Sequence, residues 1–208
     1  MVYEVTEIVV DLGPLKYIPV MGRLYQRLDM VDYRPYSLSE YAARGLWELV
    51  RTLVIPLTPR RAFGFRRGVL RAFGGQIGAG VKIRKSAKIH HPWLLCIGEH
   101  SEVGDEVEIY NLGLISIGSH TVISQRAYLC AGTHDYSSIR RPLQRSKIEI
   151  GSGVWICAAA FIGPGVCVGD NAIVGAASVV TRNVDPTTVV AGNPAKKIKD
   201  RQPPVDLV

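Results

Sequence analysis

From Ile77 onward the chain repeats every six residues, and this period limits the fold more than any other feature of the sequence. Ile77, Ile83 and Ile89 are followed by Ile97, Val103 and Ile109, then by Ile117, Ile123 and Leu129. The longest run is Ile150, Ile156, Ile162, Val168, Val174 and Val180. Glycine follows the aliphatic residue at positions 78, 98, 104, 118, 151, 163, 169 and 175. The period matches neither the 3.6 of a helix nor the 2.0 of a plain strand. It predicts a mainly β triangular solenoid in which each hexad makes one short strand and one corner. The aliphatic residue points inward and stacks on its equivalents in adjacent coils, and glycine relieves the corners, where the backbone turns sharply. Three hexads give a coil of 18 residues; the steps from Ile77 to Ile97 and to Ile117 are 20, so two coils carry a two-residue insertion. About five coils result: 77–96, 97–116, 117–149, 150–167 and 168–185. The expected organisation is an N-terminal helical segment over 1–74, the solenoid over 75–185 and a tail over 186–208.

The 208 residues suit one main domain, and 47% apolar residues can supply its core. A net charge of +7 favours an anionic ligand, a class that includes nucleic acid, an anionic membrane and a phosphate-rich co-substrate. Cys96, Cys130, Cys157 and Cys167 form no CxxC pair and read as buried thiols of a reducing compartment. No metal is expected. Glu4, Glu7 and Asp11 interrupt the opening apolar residues, so no signal peptide is read there; residues 1–30 give no other pattern.

Before the repeat, Leu46, Leu49, Val50 and Leu53 recur at helical spacing. Ser37 or Ser39 can cap this helix and Pro56 ends it. The stretch Leu46–Leu57 is too short for a bilayer span, which needs about 20 residues. A second helix, roughly Pro59 to Phe73, carries Arg60, Arg61, Arg66, Arg67 and Arg71. Two readings stand: a cap on the solenoid, or peripheral attachment to an anionic membrane surface.

The third coil carries a loop, Ala131-Gly132-Thr133-His134-Asp135-Tyr136-Ser137-Ser138 and on to Lys147. A solenoid needs no such excursion, and long loops on rigid scaffolds carry function. His134 lies at its root, where an imidazole can act as a general base near neutral pH. His90, His91, His100 and His120 lack the spacing of a zinc site. Cys130 is the rival nucleophile, its strand position suggesting core packing instead. A column of small residues, Ser124, Ala158 and Ala176, runs along the second strands of coils three to five, about 4.8 Å apart. It can line a groove for a pantetheine arm, although small residues also suit corner packing. Thr181 and Arg182 lie at its end, and Lys196, Lys197 and Lys199 follow Gly192-Asn193-Pro194, where cations can hold phosphates.

Over residues 32–201 the chain resembles the hexapeptide-repeat O-acetyltransferases, in particular the branch assigned to colanic acid biosynthesis. The resemblance rests on Ile109-Tyr110-Asn111-Leu112, Thr133-His134-Asp135-Tyr136, Val154-Trp155-Ile156, and Val179-Val180-Thr181 through Val190-Ala191-Gly192-Asn193-Pro194-Ala195-Lys196. It implies a left-handed parallel β-helix, a cytoplasmic homotrimer, and acetyl-CoA bound between subunits as co-substrate. It implies His134 as general base, with Asn111, Asp135, Tyr136 and Trp155 toward the acceptor. Ser124, Ala158, Ala176, Thr181, Arg182, Lys196 and Lys199 match CoA-contacting positions. Cys157 replaces a usual glycine and Arg182 a common lysine; a small residue and a cation remain. The expected function is acetyl transfer to a sugar or nucleotide-sugar hydroxyl in surface-polysaccharide synthesis, without nucleic acid. The alternatives are an N-acyltransferase of the same fold and a non-catalytic solenoid that binds a partner.

Overall fold

The computed structural model describes residues 36–202 and the backbone of two short strands, Asp11–Leu12 and Leu15–Lys16, which pair antiparallel. The other residues of 1–35, Glu4 and Glu7 among them, and the last six of the tail lie outside the described residues. The chain divides into two compact units, Tyr36–Thr133 with Gln144–Val208, and Met1–Pro35 with His134–Leu143.

The first unit is a left-handed parallel β-helix with its caps. Its coils present three parallel ladders. One aligns Ile77, Ile97, Ile117, Ile150 and Val168. The second aligns Ile83, Val103, Ile123, Ile156 and Val174, and the third Ile89, Ile109, Leu129, Ile162 and Val180. These residues are buried while their neighbours along each strand face outward. Like side chains therefore stack from coil to coil, each contributing about 1.5–3 kcal/mol by burial. The parallel pairing continues beyond residue 185, where the hexads stop being legible. Val184 pairs with Val168, and the strand Thr188–Ala191 pairs with Ile173–Val174. Each partner lies sixteen residues on, because the corner after Val180 is two residues shorter. Lys196–Asp200 then turns back antiparallel on Thr188–Ala191 and closes the last edge.

The repeat glycines do a different job from the one the sequence suggests. Gly78, Gly98, Gly118 and Gly169 are not at positive φ; a Cβ on each would come within 2.5–2.6 Å of backbone in the next coil. The left-handed corners are instead held largely by other residues, among them His100, His120, Arg126, Ala159, Asn171 and Ala177. Gly118→Ala, whose Cβ would lie 2.5 Å from Gly151 C and Ser152 N, should therefore destabilise the protein by about 1–3 kcal/mol. Ala177→Gly, which relieves a residue at φ 53°, should be neutral or stabilising by up to about 1 kcal/mol. Chemical denaturation of both variants checks the contrast, and a Gly118→Ala protein as stable as the parent would overturn it.

Helix α1, Leu38–Leu53, opens on a capping box in which Ser37 Oγ accepts the Glu40 N–H and the Glu40 carboxylate accepts the Ser37 N–H. Its buried Trp47 donates its indole N–H to Ile89 O at 2.7 Å and packs on Phe73. Leu46, Leu49 and Leu53 stay exposed on another face. Helix α2, Phe63–Ala72, begins four residues later than the arginine pattern suggests, because residues 58–62 form a turn held by Arg66. Three of its arginines cap the open edge of the first coil. Arg66 donates to Ile83 O at 2.7 Å, Arg67 to Val81 O at 2.9 Å, and Arg71 to Ile77 O at 2.8 Å. The arginine pattern is thus a capping device first: carbonyls that a further coil would have bonded are satisfied by guanidinium groups. No helix among the described residues is long and apolar enough to cross a membrane.

The cysteines depart from the sequence reading. All four are half-buried free thiols, not core residues: Cys96, Cys130 and Cys167 at outward strand positions and Cys157 just past the strand Trp155–Ile156. Cys130 does not pack inward; its thiol reaches Gly132 O at 3.3 Å, while Leu129 beside it fills the core.

Candidate active site

The chain leaves the third coil at Gly132–His134 and returns at Leu143–Arg145. The root closes on the β-helix side with Ser146 N–H donating to Ala131 O at 2.9 Å. A Cβ at Gly132 would meet Leu112 Cδ1 at 2.6 Å, so a side chain there would force Leu112 to shift. Within the loop, Asp135 N–H donates to Pro142 O at 3.1 Å and Arg141 N–H to Ser138 O at 3.1 Å. His134 is exposed, and its Nδ1 lies 2.8 Å from Arg141 O. A carbonyl only accepts, so Nδ1 carries the proton and the lone pair lies on Nε2. Arg141 is a partner that spacing alone does not reveal.

Asp135 and Tyr136 fare differently. The Asp135 carboxylate accepts the Ser137 N–H at 2.9 Å and the Ser137 hydroxyl at 2.5 Å. These bonds hold its carboxyl below the usual range and commit one oxygen to the turn. Tyr136 is 88% exposed and available for contact.

On the β-helix, Trp155 lies on an outward position and donates its indole N–H to Ser124 Oγ at 2.9 Å across adjacent coils. The structure thus joins one residue expected toward the acceptor to one expected on CoA. The ladder also corrects the register of the small-residue column. Because Ile123, Ile156 and Val174 align, Ser124 stacks on Cys157 and Gly175, whereas Ala158 stacks on Ala176 and Gln125. The bonds Ser124 N–H to Ile156 O and Ala177 N–H to Ala158 O follow that register. Cys157, its thiol pushed up by burial, is therefore a column member. Counting strictly one residue past each inward aliphatic finds it.

Thr181 and Arg182 are exposed just past the strand Val179–Val180. Gly192 O accepts the Val179 N–H, and Ala195 donates to Val179 O at 2.8 Å. This places Lys196 beside the same end of the last coil. Lys197 pairs with Asp200 at 2.7 Å, which leaves Lys196 and Lys199 exposed without a carboxylate partner among the described residues.

Asn111 is not placed to meet an acceptor. It is fully buried; its Oδ1 accepts the His91 N–H at 2.9 Å, and its Nδ2 donates to His91 O and Leu94 O. It latches the two-residue insertion of the coil before it. His91 is equally buried, and burial with the nearby Arg44 charge lowers its pKa to about 4, so the ring stays neutral. Asn111→Ala should therefore cost about 2–4 kcal/mol of stability, by leaving several buried backbone groups unpaired, without raising the KM for acceptor. Denaturation alongside steady-state kinetics separates the two; a KM effect at unchanged stability would return Asn111 to the site. Among the described residues no group of three His, Cys, Asp or Glu could hold a metal ion.

No sequence-family profile matches the chain. WcaF of Escherichia coli K12, assigned as a colanic acid biosynthesis acetyltransferase, is 42% identical over 156 residues, 75% of this chain and 86% of its own length. This chain belongs to the hexapeptide-repeat acetyltransferases. WbbJ of the same organism, assigned as a lipopolysaccharide biosynthesis O-acetyltransferase, is 29% identical over 61% of this chain and 70% of its own. A hexapeptide-repeat acetyltransferase of Vibrio cholerae, solved with acetyl-coenzyme A, superposes with a TM-score of 0.74 over 85% of this chain and 96% of its own, at 24% identity. This hexapeptide-repeat acetyltransferase therefore shares its fold with that enzyme, while its family rests on the sequence similarity to WcaF.

Proposed function

We propose that this acetyltransferase moves an acetyl group from acetyl-CoA to a hydroxyl of a sugar or nucleotide sugar in surface-polysaccharide synthesis, in the cytoplasm and as a homotrimer. The observation that carries the reading is the His134 tautomer, set by Arg141 O, in an exposed loop. Nε2 takes the hydroxyl proton as the oxygen attacks the thioester carbonyl; the tetrahedral intermediate collapses, the C–S bond breaks, and the imidazolium returns the proton to the departing CoA thiolate. No acyl-enzyme is needed, and Cys130 is not required as a nucleophile.

Ser124, Ala158 and Ala176, with Cys157 added by the register, would line the pantetheine arm. Thr181, Arg182, Lys196 and Lys199 would hold the phosphates. Trp155 and Tyr136 would face the acceptor. In a trimer, acetyl-CoA would lie between neighbouring subunits.

Product mass spectrometry with acetyl-CoA and a panel of nucleotide sugars tests the reaction. The product should be an alkali-labile ester; an alkali-stable amide would mean N-acyl transfer, and no product from any acceptor would count against an enzyme of this class. Calorimetry tests the co-substrate residues. The double variant Lys196→Ala with Lys199→Ala should bind CoA several-fold more weakly, each contact being worth on the order of 0.5–1.5 kcal/mol. The loss should be smaller for dephospho-CoA. Unchanged CoA affinity would remove both lysines from the site.

A further inference from the structure

A cleft of about 560 Å³ opens at the N-terminal end of the β-helix unit, lined by Arg60, Arg61, Phe63, Lys82, Arg84 and Glu102. Arg60 and Arg61 come from the turn between α1 and α2, Phe63 opens α2, Lys82 and Glu102 come from the second strands of coils one and two, and Arg84 follows the first of these strands. Arg84 pairs with Glu102 at 2.8 Å and neutralises it. Arg60, Arg61 and Lys82 remain as three exposed cations around one cavity, with no carboxylate partner among the described residues. Both walls hang on the same buried group. The Arg66 guanidinium, 1% exposed, donates to Pro59 O at 3.0 Å and Arg60 O at 2.8 Å on one wall and to Ile83 O at 2.7 Å on the other. Phe63 forms part of the lining, its ring centroid 5.1 Å from the Arg66 guanidinium and 5.6 Å from that of Arg84.

Three like charges converging on one cleft repel each other, and a flexible surface would let them part. Here the backbones of the turn and the strand are tied together by a buried side chain, so the three cations stay on walls that cannot move apart. Two guanidinium forks and one ammonium match the oxygens of a multiply charged phosphate group better than a single carboxylate. We propose that this cleft binds a phosphate-bearing ligand of the diphosphate type. It lies at the first coil, whereas Arg182, Lys196 and Lys199 lie at the last, so it is separate from the expected CoA residues and independent of the role given to His134. A diphosphate can come from a soluble ester or from a lipid headgroup at a membrane surface. Leu57, 84% exposed and three residues from Arg60, gives the lipid source a place in the test.

The test is calorimetric titration of inorganic pyrophosphate into the full chain at fixed ionic strength, with and without saturating acetyl-CoA. Binding should persist with acetyl-CoA present and should weaken about tenfold or more in the double variant Arg61→Ala with Lys82→Ala. Lys88→Ala, which removes an exposed lysine of the third ladder, should leave it unchanged. No pyrophosphate binding at millimolar concentration, equal affinity in the double variant, or displacement by acetyl-CoA would each overturn the proposal. Sedimentation with vesicles that carry a lipid with a diphosphate headgroup, against phosphatidylcholine vesicles, identifies the source. Sedimentation that pyrophosphate abolishes supports the lipid headgroup, and pyrophosphate binding without sedimentation supports a soluble diphosphate. Sedimentation that survives the double variant would overturn the lipid source.

Discussion

His134→Asn is expected to lower turnover by about 10²–10⁴ while acetyl-CoA affinity stays within about twofold. Asparagine is the informative replacement because its side-chain amide can donate to Arg141 O much as His134 Nδ1 does. The loop keeps its inner tie, and only the Nε2 lone pair is lost. His134→Ala removes both and should be no more active than the asparagine variant. Stopped assays with acetyl-CoA and acceptor, beside calorimetry with CoA, give the two readouts. An asparagine variant that turns over like the parent would mean that His134 supports the loop and does not move a proton.

Arg66→Ala should cost about 3–5 kcal/mol, a large part of the roughly 5–15 kcal/mol that holds a typical domain together. The buried guanidinium spans Ile83 O, Thr58 Oγ1, Pro59 O and Arg60 O. Removing it strands three backbone carbonyls and opens a void under the turn. Arg66→Lys should recover only part of the loss, since an ammonium lacks the planar fork that reaches both walls. Urea denaturation measures it; a loss below about 1 kcal/mol would show that water replaces the side chain at little cost.

The coils were legible because inward stacking demands equal arcs, and within each coil equal arcs leave aliphatic residues six apart, a register that resumes after each insertion and after the loop, from Ile77 to Val180. Legibility ended where the arc changed. Val184 follows Val180 by four residues, so it read as the end of the fifth coil, and the strand Thr188–Ala191 of a sixth read as tail. The glycines were visible, but their reason was not: close approach between coils is a contact across about 20 residues, whereas turn conformation is local. The same limit explains Asn111, whose partners His91 and Leu94 belong to the preceding coil. It also explains the column, where the offset of Ser124 from Ala158 became visible only through the pairing of Ile123 with Ile156. His134 was legible because a large loop interrupts a regular pattern there, but its tautomer depends on a carbonyl seven residues later.

The guanidinium cap bears on how the polypeptide is made. Helix α2 precedes every coil in sequence, so it leaves the ribosome before them. The first coil can then wind against a finished end, and at each moment of synthesis only the edge of the newest coil faces the crowded cell. Each new hexad advances that edge and buries the one behind it. The strand Lys196–Asp200 runs backward and carries three lysines, so the edge of the second ladder is shut by a charged segment that a neighbouring nascent chain would pair with poorly. Truncation before Lys196 should therefore yield chains that wind correctly and then stick to one another, whereas loss of α2 should prevent winding from starting.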